Sequence, residues 1–141
     1  MSHLNAIVYV SAAVQPVRRD DLSALLQRSR ARNLAEQVTG LLVYCDGNFI
    51  QYLEGPPAPL ARVYASIQQD ALHHGLIELF NDPVATREFE GWSMAYTPMQ
   101  IRDFDELARA SWRDDGASPH GVSAGRRLLR QVWLRLRDAG H

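Results

Sequence analysis

The sequence has no lysine, so all its basic residues are arginine, and it has a single cysteine, Cys45. One cysteine cannot form an internal disulfide, which agrees with a reducing compartment and an expected cytoplasmic location. No apolar run approaches the roughly 20 residues needed to span a bilayer. The opening Met-Ser-His-Leu-Asn5 also lacks the basic-then-apolar pattern of a signal segment. There is no glycine-rich phosphate loop, internal repeat or low-complexity tract. No nucleophile motif, pair of acids at catalytic spacing or metal set is visible, so the chain is not expected to be an enzyme. His73 and His74 adjoin, but no carboxylate or cysteine is spaced to complete a metal shell. What is present, 46% hydrophobic residues and a net charge of −1 over 141 residues, describes one globular domain with a real core.

The most informative stretch is a hairpin with a misplaced amide. Val38-Thr-Gly-Leu-Leu-Val-Tyr-Cys45 and Asn48-Phe-Ile-Gln-Tyr-Leu-Glu-Gly55 flank Asp46-Gly47, a strong signal for a type I′ turn. A two-residue loop pairs Cys45 with Asn48, Tyr44 with Phe49 and Leu42 with Gln51. Side chains alternate along a strand, so Phe49, Gln51 and Leu53 share a face that is otherwise apolar. A buried amide left unpaired costs about 1–3 kcal/mol. Gln51 is therefore either a core amide satisfied by nearby backbone or a ligand contact inside a closed pocket.

Other elements also aim polar groups inward. The first strand, Asn5-Ala-Ile-Val-Tyr-Val-Ser11, puts Tyr9 in line with Ile7 and Ser11. A helix from about Asp20, with Asp20 or Asp21 as its cap, carries Leu22, Leu25 and Leu26 on one face. Helical steps continue that stripe through Ser29 and Asn33. An apolar pocket studded with a few polar groups is the usual form of a small-molecule site.

Pro56-Pro57-Ala58-Pro59 reads as a linker into a second helix bearing Leu60, Val63, Tyr64, Ile67 and Ala71. Residues 75–82 and 91–98 read as strands separated at Asp82-Pro83, with Trp92 and Met94 on one face of the latter. The predicted fold is α+β, a ferredoxin-like β-α-β-β-α-β sandwich with an extra strand. A short helix around Phe104–Trp112 and a polar stretch, Arg113 to Pro119, precede a last helix over residues 122–138. Leu128, Leu129, Val132 and Leu136 form its stripe, which is expected to pack on the opposite face of the sheet. Its five arginines read as a solvated face. Aromatics do not interleave with them as a nucleic-acid stacking surface requires. Trp133, off the stripe and flanked by Arg130 and Arg137, is expected near the surface. That composition suits an interface, so a homo-oligomer through this helix is expected.

Five motifs together carry a resemblance: Tyr9-Val-Ser11, Ser29-Arg-Ala-Arg-Asn33, Val38-Thr-Gly-Leu-Leu42, Gly47-Asn-Phe-Ile-Gln-Tyr-Leu-Glu-Gly55 and Arg87-Glu-Phe-Glu-Gly-Trp-Ser-Met94. In this order and spacing, from about residue 4 to residue 98, the chain resembles the BLUF family of blue-light sensors that use FAD. The resemblance implies a flavin held non-covalently between the two helices of a ferredoxin-like fold. It makes residues 1–98 the photosensory domain and 99–141 a C-terminal helical extension. Tyr9 then donates an electron and a proton, and Gln51, which bridges Tyr9 and the flavin, rearranges by rotation or tautomerisation. Trp92 and Met94 relay that change to the surface. Cofactor contacts are expected from Leu25, Ser29, Arg32, Asn33, Gln51, Ile67, Asp70 and His73.

Two positions depart from the family pattern. Arg32 stands where asparagine is common, and Asp70-Ala-Leu72-His73 carries leucine where arginine is usual. FAD is the flavin that the resemblance implies, and the missing arginine leaves FMN and riboflavin possible. Two other readings remain open: a flavin-free, photochemically silent interaction module, and a small flavin redox enzyme.

Overall fold

The computed structural model describes residues 3–15, 17–70, 73–112 and 123–139. The strands are β1 (Leu4–Ala13), β2 (Thr39–Cys45), β3 (Asn48–Gly55), β4 (His73–Val84) and β5 (Ala95–Pro98). The helices are α1 (Arg19–Ala35), α2 (Pro57–Gln68), α3 (Ile101–Arg109) and α4 (Ala124–Ala139). Sheet order is β4-β1-β3-β2-β5. This is the ferredoxin-like order extended at one edge by β5, which pairs parallel to β2 while the other ladders are antiparallel.

The hairpin forms as its turn demands. Asp46 and Gly47 take φ of 47° and 86°, the left-handed pair of a type I′ turn that twists with the strands. Leu42 then lies opposite Gln51, Tyr44 opposite Phe49 and Cys45 opposite Asn48. On the other side of β3, Tyr9 of β1 is also paired with Gln51. The phenol and the amide therefore meet because backbone register places them together.

The sheet separates two cores. On one face, Ile7, Tyr9, Leu42, Phe49 and Leu53 pack with Leu26 of α1, the buried side of α2 and Met94. On the other, Val8, Val43, Ile50 and Tyr52 pack with Phe104 and Leu107 of α3 and Leu129, Val132 and Trp133 of α4. The C-terminal helices thus cover the face opposite α1 and α2. The side chain of Asp21 accepts the backbone N–H of Arg18 at 3.2 Å, closing the first turn of α1. Pro57 starts α2 and Leu60, Val63, Tyr64 and Ile67 form its buried face.

Several boundaries differ from the sequence reading. Pro83 lies within β4, paired with Asn5, and does not end the strand. β4 is an edge strand, where the missing N–H of proline costs no ladder bond. α3 ends at Arg109, before Trp112. The fifth strand begins only at Ala95. Trp92 and Met94 therefore precede it and do not share a strand face. Ala71, Leu72 and the stretch from Arg113 to Pro119 lie outside the described residues, as do the side chains of Leu136 and Arg137.

Candidate functional site

Leu25, Ser29 and Arg32 of α1, Leu42 and Gln51 of the hairpin, and Ile67 with Asp70 at the end of α2 line one tight crevice. At its floor Tyr9, fully buried, donates its hydroxyl to Oε1 of Gln51. The other end of that amide has a poor partner: Nε2 faces the sulfur of Met94 at 3.7 Å. Thioether sulfur is a weak acceptor. The buried amide thus has an oxygen partner at one end and a soft sulfur partner at the other.

Burial raises the Tyr9 phenol above its ordinary value, opposed by the charge of Arg32. Tyr9 is thus held neutral and protonated, and its ring lies 5.9 Å from that of Tyr64. Burial lowers the Arg32 guanidinium, with Tyr9 and Asp70 acting the other way. Arg32 donates Nε to the side-chain oxygen of Asn33 at 3.3 Å. Asn33, wholly buried, donates Nδ2 to the carbonyl of Ser93 at 2.7 Å.

Six of the sequence-predicted cofactor residues, Leu25, Ser29, Arg32, Gln51, Ile67 and Asp70, therefore line one crevice. Asn33 instead ties α1 to the segment before β5. His73 begins β4 opposite Ala13, and its side chain lies outside the description. Met94 is 1% exposed beneath Gln51, whereas Trp92 is 43% exposed and lies edge-on to Trp133, centroids 5.6 Å apart. The expected shared face fails because the chain bends at Ser93 and Met94 before β5 begins, and strand alternation does not apply there. Trp133 is also corrected: at 8% exposure it is buried against Trp92 and Phe89, not presented at the surface.

Residues 4–95 match the family profile described as BLUF, sensors of blue light using FAD. The chain belongs to the BLUF family. It is 34% identical over 94 residues to the photoactivated adenylate cyclase subunit beta of Euglena longa, covering 66% of this chain and 11% of that protein. The chain spans about a tenth of the length of the first curated relatives it matches. Among solved structures, the dark-state structure of BlrB, a BLUF protein, superposes with TM-score 0.73 and 25% identity, covering 94% of this chain and 98% of that one. Klebsiella pneumoniae BlrP1 with FMN and cyclic diGMP gives TM-score 0.63 and 29% identity, covering 90% and 30%. As a BLUF protein the chain is a blue-light sensor, and its cofactor is a flavin.

The BLUF donor set fits that cofactor. Gln51 offers an N–H whose partner among the described residues is a sulfur, Ser29 contributes a hydroxyl, and Leu25 and Ile67 supply apolar walls that suit a planar ring. The crevice volume is only about 10 Å³, the room of a single water. Among the described residues no cluster of metal-ligating side chains is gathered, and no helix is long and apolar enough to cross a membrane.

Sequence reasoning missed the residues behind the site. Arg30 donates Nε to the carbonyl of Met94 at 2.9 Å. Glu54, fully buried, accepts the hydroxyl of Thr39 and the backbone N–H groups of Glu88 and Phe89, each at 2.7 Å. The available signal was an acid at a position of β3 that must face inward by alternation from Tyr52.

Proposed function

We propose that the chain is a photoreceptor in which Tyr9 and Gln51 form the switch, Met94 senses its state, and the C-terminal helices carry the output. The bond from the Tyr9 hydroxyl to Gln51 Oε1, with Gln51 Nε2 on the Met94 sulfur, supports this reading most directly. A bound flavin supplies the blue-light absorption and the electron acceptor. Tyr9 holds the transferable proton on Oη, already aimed at Oε1. Gln51 accepts along that bond and then rearranges, by rotation or tautomerisation, so that a different group faces Met94. Leu25 and Ile67 exclude water, Ser29, Arg32 and Asp70 orient the polar side of the crevice, and Asn33 holds the segment before β5 to α1.

In this reading residues 1–98 sense light and residues 99–141 transmit it by protein contact, without a catalytic step of their own. The match to the Euglena cyclase subunit, confined to 11% of that protein, supports a sensing role for the shared part. FMN, the flavin of the similar BlrP1 structure, is a ligand to test beside FAD and riboflavin. The free thiol of Cys45 suits a reducing compartment such as the cytoplasm. Contacts include a second copy of the chain, with Leu134 of α4, 38% exposed, as the apolar group available to it. Light scattering in darkness and under blue light measures that association, and a monomer in both leaves only a different partner.

The deciding experiment is absorption spectroscopy of purified protein. Yellow protein with a reversible red shift under blue light is expected. Gln51→Leu should keep the flavin and lose the shift, and Tyr9→Phe should lose it too. Colourless protein that takes up no flavin, or a normal shift in either variant, would overturn the assignment.

A further inference from the structure

Residues 86–94, which link β4 to β5, form a strap held from several sides. Glu54 holds the backbone of Glu88 and Phe89 to the sheet. Asn33 and Arg30 hold the carbonyls of Ser93 and Met94 to α1. Gly40 donates its N–H to the carbonyl of Trp92 at 3.1 Å. From α4, Arg126 donates Nη2 to the Glu88 carboxylate at 2.9 Å and to the Thr86 carbonyl at 3.3 Å.

The Arg126–Glu88 pair is buried, with side-chain exposures of 5% and 8%. Desolvating two charges costs several kcal/mol and is repaid only when the remaining polar atoms are satisfied. They are satisfied only in part: neither Nε of Arg126 nor the hydroxyl of Tyr52 makes a well-formed hydrogen bond among the described residues. The two groups are nonetheless close: burial raises the Tyr52 phenol, and Arg126 opposes it by its charge and through a side-chain hydrogen bond, while Tyr52 in turn acts on the Glu54 carboxyl. A guanidinium that engages a neighbouring hydroxyl this loosely has a tighter arrangement within reach, in which Nε–H donates to Tyr52.

We propose that Arg126 is a positioning residue that couples α4 to the strap and, through Met94, to Gln51. The proposal rests on Gln51 being the light-driven switch. When Met94 loses its contact with the Gln51 amide, the strap shifts, the Glu88 contact loosens, and Arg126 turns towards Tyr52. Tyr52 is next to Gln51 on β3 but faces α4, so the acceptor lies on the helix side of the same strand. Trp133, against both Phe89 and Trp92, moves with the strap and carries the displacement along α4.

The test is hydrogen exchange of flavin-loaded protein in darkness and under blue light, read separately over 86–94 and α4. In the wild type both segments should change with light. The double variant Arg126→Met, Glu88→Leu removes the pair without stranding a charge, an exchange that is often near neutral for stability. It should keep the red shift and the change over 86–94, while the α4 difference falls by about 3-fold or more. Arg126→Lys retains charge and a donor to Glu88, so it should restore part of the α4 response. In flavin-free protein the double variant should exchange faster than the wild type over 86–94, a readout independent of the chromophore. A double variant whose α4 responds to light like the wild type overturns the proposal. Wild-type protein without a red shift defeats the switch reading itself, and absorbance alone separates that failure from this one.

Discussion

Gln51 and Tyr52 are neighbours on β3, yet their side chains leave the sheet by opposite faces, Gln51 into the crevice between α1 and α2 and Tyr52 into the core beneath α4. A displacement of this strand is therefore felt in both places. Strand alternation, an elementary property of the backbone, puts the proposed switch and a residue of the opposite core one position apart.

Arg32 should govern the choice of flavin. It lines the crevice beside Asp70, whereas Leu72 supplies no charge for a phosphate. Affinities for FAD, FMN and riboflavin should agree within ~100-fold, or roughly 2.7 kcal/mol. Arg32→Ala should weaken FMN and FAD about 10-fold or more relative to riboflavin, the scale of a charge-assisted hydrogen bond. Equilibrium titration of the three ligands checks both statements. An FAD preference above that range that survives Arg32→Ala would place the phosphate grip elsewhere.

Glu54→Gln should destabilise the protein by about 2 kcal/mol. Burial raises the Glu54 carboxyl, opposed by the hydrogen bonds of Glu88, Thr39 and Phe89. Two carboxyl oxygens receive three donors, and an amide nitrogen in place of one oxygen leaves at least one buried N–H facing another donor. Urea unfolding of the flavin-free variant measures the loss. A change below about 0.5 kcal/mol, the range of ordinary surface substitutions, would show that Glu54 is not the anchor of the strap.

Alkaline pH should unfold the protein through its buried phenols. Tyr9 and Tyr52 are both raised above the ordinary tyrosine value, chiefly by burial. Above about pH 10, the reference tyrosine value, the unfolded chain loses these protons while the folded chain keeps them. The folded state then binds more protons, so stability present below that pH falls as pH rises. The slope approaches about 1.4 kcal/mol per pH unit for each tyrosine. Urea midpoints between pH 8 and pH 11 should show the fall, and Tyr9→Phe should remove one tyrosine's share of the slope, since burial raises Tyr64 and Tyr96 as well. An unchanged slope in that variant would contradict the role given to burial.

Trp133→Ala should act on stability before it acts on association. The indole is buried between Phe89 and Trp92, and truncating a core tryptophan costs about 3–5 kcal/mol. Chemical unfolding should register that loss, whereas an interface residue would leave the monomer intact and change only its light-scattering mass.

The sequence disclosed the parts of the site that obey strand and helix periodicity. Asp46-Gly47 set the hairpin register, and register put Gln51 between Tyr9 and Leu42. The helical stripe through Leu26, Ser29 and Asn33 likewise turned inward as its spacing required. The strap resisted such reading because residues 86–94 follow neither period, so the directions of Trp92 and Met94 could not be counted off. Arg126 was hidden for a different reason. Among five arginines on a helix, charge argues for solvent, and the groups that make burial tolerable, the Glu88 carboxylate and the Thr86 carbonyl, are distant in sequence.

The division of the interior by the sheet has a consequence for variation. Each strand contributes alternate side chains to two packing environments, so substitutions around the crevice can accumulate without disturbing the packing of α3 and α4. Phe89 belongs to one environment and Met94 to the other, with no strand between them to insulate the two. An engineer grafting a different C-terminal helix onto this domain could leave the crevice untouched, but would have to redesign the six residues from Phe89 to Met94 together with the helix.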